Sequence, residues 1–193
     1  MSGVPPQVHA VILAAGSGSR FGGGKLMAAW RGGVLLDGAL DAAFAAPVAA
    51  VHVVVGADPA VAAHAAARGA RIVAARDHAS GLSASLKAGI AALPPDAVGA
   101  LVLLGDMPRT PRAVLGPLVA AIEVGAPAAV PVFEGRLGNP AALSAALFPK
   151  IAALQGDRGA RVLLEGLGEA LVLIPAPDAG VLFDVDRRED LDL

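Results

Sequence analysis

The 193-residue chain contains no cysteine, which removes disulfides, thiolate metal sites and a cysteine nucleophile from consideration. Charge is also scarce. Lys, Arg, Asp and Glu make up 17% of the residues and the net charge is −2, so there is no basic field for nonspecific nucleic-acid binding and any anion must be held locally. No apolar run is long enough to span a bilayer. The first Lys or Arg is Arg20, so the N-terminus lacks the basic start of a signal peptide. These absences predict a cytoplasmic protein with neither membrane nor nucleic acid as partner. Alanine-rich runs such as the one from Ala42 to Ala50 share no fixed period, which excludes a repeat array. What the chain has in quantity is hydrophobic residues, at 55%, enough for a full core and incompatible with disorder.

One stretch concentrates the polar chemistry. From Leu13 to Lys25 the sequence reads LAAGSGSRFGGGK, directly after the β-branched run Val8 to Leu13, which reads as a buried strand. Glycine lets backbone N–H groups approach a ligand closely. Successive N–H groups form a concave anion site, to which Arg20 and Lys25 add full charges. A polyphosphate is the natural guest. Two known phosphate loops do not match. A Walker A loop needs glycine six residues before the lysine and Ser or Thr after it, whereas Ser19 and Leu26 hold those places. A dinucleotide fingerprint needs a third glycine where Phe21 stands. A flexible glycine-rich surface loop is the plain alternative, against which the two glycine-flanked cations argue.

Strong β-branched runs alternate with alanine- and leucine-rich segments, the pattern of an α/β fold with a mainly parallel sheet. Strands are predicted at Val51 to Val55, Arg71 to Ala75, Gly99 to Leu104, Ala128 to Phe133, Leu171 to Ile174 and Val181 to Val185. Helices are predicted at Val34 to Phe44, after Asp58-Pro59, from an N-cap at Ser83 to about Leu93, after Pro111, at Ser144 to Leu154 and Ala160 to Leu167, with a short closing helix from Arg187 to Leu193. No linker or composition break interrupts the pattern, so one domain is expected.

Asp106 follows the clearest central strand. A carboxylate there sits where open α/β sheets bind ligands, and it offers a hard oxygen ligand for Mg²⁺; capping of the next helix is the alternative. Asp184 and Asp186 flank Val185, and on a strand they point the same way. The four histidines show no metal spacing, and no serine nucleophile elbow is present.

These motifs together resemble the nucleotidyltransferases of molybdenum cofactor synthesis. Leu13, Ala14, Ala15, Gly16, Ser19, Arg20, Phe21, Gly22 and Lys25 fit that family's opening signature in register, with Ser17 and Gly18 between them. The Gly105-Asp106-Met107-Pro108 run fits its second motif. The resemblance implies a three-layer, Rossmann-like nucleotidyltransferase fold and a loop wrapping a nucleoside triphosphate. It implies Asp106 as Mg²⁺ ligand and, from the Phe-Asp-Val-Asp ending, a second acid at Asp186 or Asp184, of which Asp186 is favoured. The match departs there at Arg187 and Arg188, which replace Thr-Pro. Ala15 is similar to the cytidylyltransferase branch, implying CTP. Ser83 and Ser85 resemble a run that lies beside the base. Asn139, where relatives carry histidine, and Arg158 and Arg161 are implied on the acceptor side; asparagine does not titrate near neutral pH, so a histidine's acid–base role does not carry over. The implied reaction joins CTP to molybdopterin bearing molybdenum, with a molybdoenzyme as recipient. Retained-fold alternatives are GTP or a sugar phosphate as substrate, an NAD(P)-dependent oxidoreductase, and a noncatalytic carrier.

Overall fold

The computed structural model describes residues 7–16, 18–75, 81–154 and 160–192. Its strands are β1 (Gln7–Ala14), β2 (Ala29–Trp30), β3 (Gly33–Val34), β4 (Val51–Val55), β5 (Arg71–Ala74), β6 (Ala97–Leu104), β7 (Ala128–Phe133), β8 (Arg136–Leu137), β9 (Ala141–Ser144) and β10 (Leu171–Pro175). The helices are α1 (Leu36–Ala45), α2 (Pro59–Ala67), α3 (Leu82–Ala91), α4 (Arg112–Glu123), α5 (Phe148–Ala152) and α6 (Arg161–Glu165). An eight-stranded sheet runs in the order β10-β7-β9-β6-β1-β4-β5, with β8 paired to β7, while β2 and β3 form a separate hairpin.

Strand β1 lies at the centre, parallel to both β6 and β4. Because its side chains alternate, it serves two cores at once. Val8, Ala10, Ile12 and Ala14 pack with residues of α1, α2 and α4, including Leu40, Val61 and Leu118. Val11, Leu13 and Ala15 pack on the other face with Leu86 and Ile90 of α3 and Ile151 of α5. The result is a three-layer α/β fold with a mostly parallel sheet, in line with the expected class.

Local chemistry explains several boundaries. Asp58 caps α2 by accepting the Ala60 N–H at 2.9 Å, with Pro59 in the first turn, where its missing donor costs nothing. In α1, Gly38 lies against the backbone of Pro108, close enough that any Cβ would overlap it.

Three elements differ from the sequence expectation. The helix predicted from Ser144 is instead preceded by strand β9, antiparallel to both β6 and β7, and only Phe148–Ala152 is α-helical. Its Ala-Ala-Leu-Ser sequence has no β-branched signal; burial between two strands decides its state. The cap of α3 is Gly81, at φ 95°, rather than Ser83, which lies inside the helix and is buried with Ser85. The strand predicted at Val181 to Val185 is a 3-10 turn over Ala179–Leu182 followed by irregular chain. Within that turn Gly180 lies so close to the Arg109 carbonyl that a Cβ would overlap it.

A buried histidine pair joins β1 to β4, with His52 Nε2 and His9 Nδ1 3.3 Å apart. Burial first, then the neighbouring His9 and Arg71, lowers the His52 pKa to about 4. His9 is lowered as well, by burial and Arg71, with Asp96 opposing. The unfolded chain therefore takes up protons first as pH falls. Stability should be complete above about pH 6.5 and should drop through the window down to about pH 4, by roughly 2–3 kcal/mol for His52. Melting temperatures measured across that window should show a steeper slope for wild type than for His52→Val; equal slopes would assign the acid sensitivity elsewhere.

Candidate active site

The turn after β1 is built as its composition demands. Gly18, Gly22, Gly23 and Gly24 all have positive φ, between 58° and 91°, a conformation other residues adopt at a cost. Two short 3-10 turns, Ser19–Phe21 and Lys25–Met27, interrupt the loop. The Phe21 side chain is buried in the core and the Arg188 guanidinium lies over its ring at 4.9 Å. Phe21 thus anchors the loop from below rather than offering a contact to a ligand. Leu13, Ala14 and Ala15 are likewise buried, so their side chains position the loop, while Gly16 and Gly22 are exposed. Ser17 lies outside the described residues.

Lys25 is the electrostatic centre. Its Nζ donates to Asp106 Oδ2 at 2.6 Å and stands 3.8 Å from Asp186 Oδ1. With side chains 12% and 27% exposed, the Lys25–Asp106 pair is screened far less than a surface pair. Arg20 reaches Asp186 Oδ2 at 3.4 Å, but both groups are well exposed and such a pair adds little to stability. Asp106 sits where β6 ends beside β1. The Gly105 N–H donates to the Leu13 carbonyl at 3.0 Å, and a Cβ at Gly105 would press on that same oxygen at 3.2 Å.

The C-terminal acids reach this point without a strand. The Val185 N–H donates to the Asp106 carbonyl at 3.0 Å, clasping the two segments together. The two-residue spacing therefore does not work through strand alternation. Asp186 is the acid that meets Lys25 and Arg20. Asp184 stands nearby: partial burial first, then the Asp186 and Asp106 carboxylates, raise its pKa. Asp190 accepts the N–H groups of Asp186 and Arg187 at 2.8 and 2.7 Å, and these bonds hold its own pKa low. Its carboxylate thus caps the turn at Arg187 and Arg188, where the resembled family has Thr-Pro.

Among the described residues no three carboxylates or imidazoles gather into a closed metal cage. Mg²⁺ does not need one, since it takes one or two carboxylates and completes its shell with phosphate oxygens and water. The cation held between Asp106 and Asp186 in this structure is the Lys25 ammonium. A hard-oxygen pair already holding one cation fits a divalent metal.

Two cavities flank this centre. One, of about 270 Å³, is lined by Ala15, Gly16, Gly24, Lys25, Gly56 and Ala57 among others. Gly56 and Ala57 were legible in the sequence only as the end of a strand; their place beside the loop follows from β4 pairing with β1. The second, of about 360 Å³, is lined mainly by aliphatic side chains, with Asn139, Arg161 and Glu165 as its polar members. The Asn139 N–H donates to the Val181 carbonyl at 2.8 Å, and the Asn139–Pro140 peptide is cis. Arg161 is paired with Glu165 at 3.1 Å on an exposed turn. Arg158 lies outside the described residues. The structure therefore brings Arg20, Lys25, Asp106 and Asp186 together, sets Asn139 and Arg161 on a separate cavity, and buries Ser83 and Ser85 in α3.

Known proteins are similar to this chain in sequence and fold. The profile described as the MobA-like NTP transferase domain matches residues 10–171, which include the loop and Asp106 but stop short of Asp184 and Asp186. Nicotine blue oxidoreductase of Paenarthrobacter nicotinovorans is 34% identical over 195 residues, covering 96% of this chain and 95% of its own. Rv0371c of Mycobacterium tuberculosis, solved as a complex with manganese, is 27% identical with a TM-score of 0.82 and 96% of each chain covered. A nucleotidyl transferase from Methanothermobacter is 25% identical with a TM-score of 0.80, covering 95% of this chain and 94% of its own. Since the profile spans the loop and Asp106, the two motifs on which the site is built, the chain belongs to the MobA-like NTP transferase family and is a nucleotidyltransferase by family.

Proposed function

We propose that the chain is a single-domain, Mg²⁺-dependent cytidylyltransferase that transfers CMP from CTP to a phosphate-bearing acceptor, with molybdenum-bearing molybdopterin as acceptor and a molybdoenzyme as recipient of the product. The observation that carries the reading is the convergence of Lys25, Asp106 and Asp186 over a glycine loop at the carboxyl ends of β1 and β6. Positive charge and hard-oxygen ligands side by side are what a triphosphate with a divalent metal requires. The preference for CTP rests on Ala15 in the loop, beside a cavity of about 270 Å³. The larger cavity at Asn139 and Arg161 suits an acceptor.

In this mechanism an acceptor phosphate oxygen attacks the α-phosphorus in line. The bond from that phosphorus to the bridging oxygen breaks, and pyrophosphate leaves. No covalent intermediate on the chain is needed, because catalysis comes from positioning and charge neutralisation. Lys25 binds the α-phosphate as charge builds, leaving Asp106 free to accept a metal. Arg20, exposed at the loop rim, holds the β- and γ-phosphates. A divalent ion on Asp106 and Asp186 would supply further neutralisation of phosphate oxygens. Gly18, Ser19 and Gly22 contribute loop backbone, and Ser83 and Ser85, buried in α3, hold the helix whose Leu82 and Leu86 line the second cavity.

The similarity to an oxidoreductase over nearly the full chain favours one second reading, in which the loop holds the pyrophosphate of NAD(P). A nucleotide panel separates the two. CTP should raise the melting temperature only with Mg²⁺ or Mn²⁺, and kcat/KM for CTP should exceed that for GTP by at least about tenfold. Stabilisation by NAD(P)H without metal would favour the second reading. Equal use of CTP and GTP would remove the base assignment.

A further inference from the structure

The largest of the cavities described lies elsewhere, on the α1 and α4 side of the carboxyl edge of the sheet. It has a volume of about 760 Å³ and is lined by Arg31, Arg109, Glu134, Arg136, Asp178 and Phe183 together with smaller residues. Three arginines on one concavity repel one another, yet no ion pair among the described residues holds any of them, although two acids share the wall. Arg109 is the most constrained. Its guanidinium lies 4.0 Å from the centre of the Phe183 ring and 5.6 Å from that of Trp30, which Arg31 approaches from its own side at 5.2 Å. Stacking fixes the plane of the Arg109 fork, but its Nε–H is buried and donates to nothing. A buried donor without an acceptor is unfavourable in the absence of a guest.

Two hairpin turns frame the same place. Arg31-Gly32 joins β2 to β3 and Glu134-Gly135 joins β7 to β8, each with positive φ at both residues, the geometry such two-residue turns require, and both Arg31 and Glu134 line this cavity. The volume is that of a small-molecule site, and its position at the ends of β6 and β7 is where open α/β sheets take ligands.

We propose that this cavity is a second anion site, separate from the glycine loop, which binds a phosphate-bearing small molecule between Arg31, Arg109 and Arg136. A phosphate offers acceptors for the fixed Arg109 fork, and the two exposed arginines close on its remaining oxygens. The assignment does not depend on the transfer reaction.

The chain's single tryptophan, Trp30, stands against Arg31 and Arg109 and reports on the site directly. The full chain should be titrated with pyrophosphate and, separately, with cytidine monophosphate while Trp30 fluorescence is recorded. A saturable change should appear with at least one of them, persist in Lys25→Ala, and require at least about tenfold more ligand in Arg109→Gln/Arg136→Gln. A response to both probes assigns recognition to phosphate alone; a response to the nucleotide only adds the planar base. Arg136→Glu, an exposed change on the short strand β8, tests the same point without disturbing the stacked arginine. Loss of the signal in Lys25→Ala would assign it to the loop and overturn the proposal. So would unchanged affinity in both arginine variants, no response to either probe, or an equal response to sodium chloride at matched ionic strength.

Discussion

Replacing Lys25 by alanine is expected to lower the turnover number by about 10²- to 10³-fold, the usual loss when one preorganised charge at a developing anion is removed. Nucleotide affinity should fall less, because the glycine backbone and Arg20 still grip the phosphates. A second signature distinguishes this from simple loss of a loop cation. Lys25 is one of the groups that hold the Asp184 pKa down, against burial and the Asp186 and Asp106 carboxylates that raise it. Without Lys25 the Asp184 pKa rises further, so the carboxylate protonates at a higher pH. Carboxyl-resolved NMR of Asp184 should show that move, and steady-state kinetics with CTP and Mg²⁺ should show the loss of turnover. A variant that kept most of its turnover would reduce Lys25 to a structural partner of Asp106.

The largest effect on stability is expected from Gly38→Ala. Alanine is the better helix former by about 1 kcal/mol, so propensity alone predicts stabilisation. The new Cβ, however, would overlap the Cα and carbonyl oxygen of Pro108. Backbone cannot rotate aside as a flexible side chain can, and forced overpacking of this kind costs about 1–3 kcal/mol or more. The clash should win. The melting temperature should drop by about 4–8 °C for a net loss of about 2 kcal/mol, the upper end of that cost less the propensity gain, in a chain of this length. Activity should fall with it, since Pro108 sits two residues after Asp106. A neutral Gly38→Ala would show that α1 shifts easily away from the Asp106 loop.

The residues of the candidate site were easier to read from the sequence than the elements that bring them together. The glycine loop was legible because its chemistry is local: glycines, Arg20 and Lys25 lie within one turn of chain. Strand β4 was legible for the same reason, being a β-branched run ended by Gly56, and β7 as an apolar run ended by the Glu134-Gly135 turn. Strand β9 was not, because an Ala-Ala-Leu-Ser segment becomes a strand only when β6 and β7 stand on either side of it. The segment from Val181 to Val185 failed in the opposite sense, having strand composition but no strand beside it to pair with. Its two aspartates nonetheless reach Asp106, through a backbone hydrogen bond rather than sheet alternation. Asp190 could not be read as the cap of that turn, since its two acceptor contacts exist only once the chain has folded back.

The clasp between Val185 and Asp106 also sets an order in time. Lys25 and Asp106 are 81 residues apart, whereas Arg20 and Asp186 are 166 apart. During synthesis the first carboxylate can meet its lysine while the second has yet to be made. At about 5–20 residues per second the delay is on the order of ten seconds. A nascent chain would thus hold a phosphate loop guarded by one internal ion pair, with Lys25 sequestered on Asp106, before the acid that completes the cation site arrives. The proposed Asp106–Asp186 cation site is therefore complete only when nearly all of the sheet is already in place.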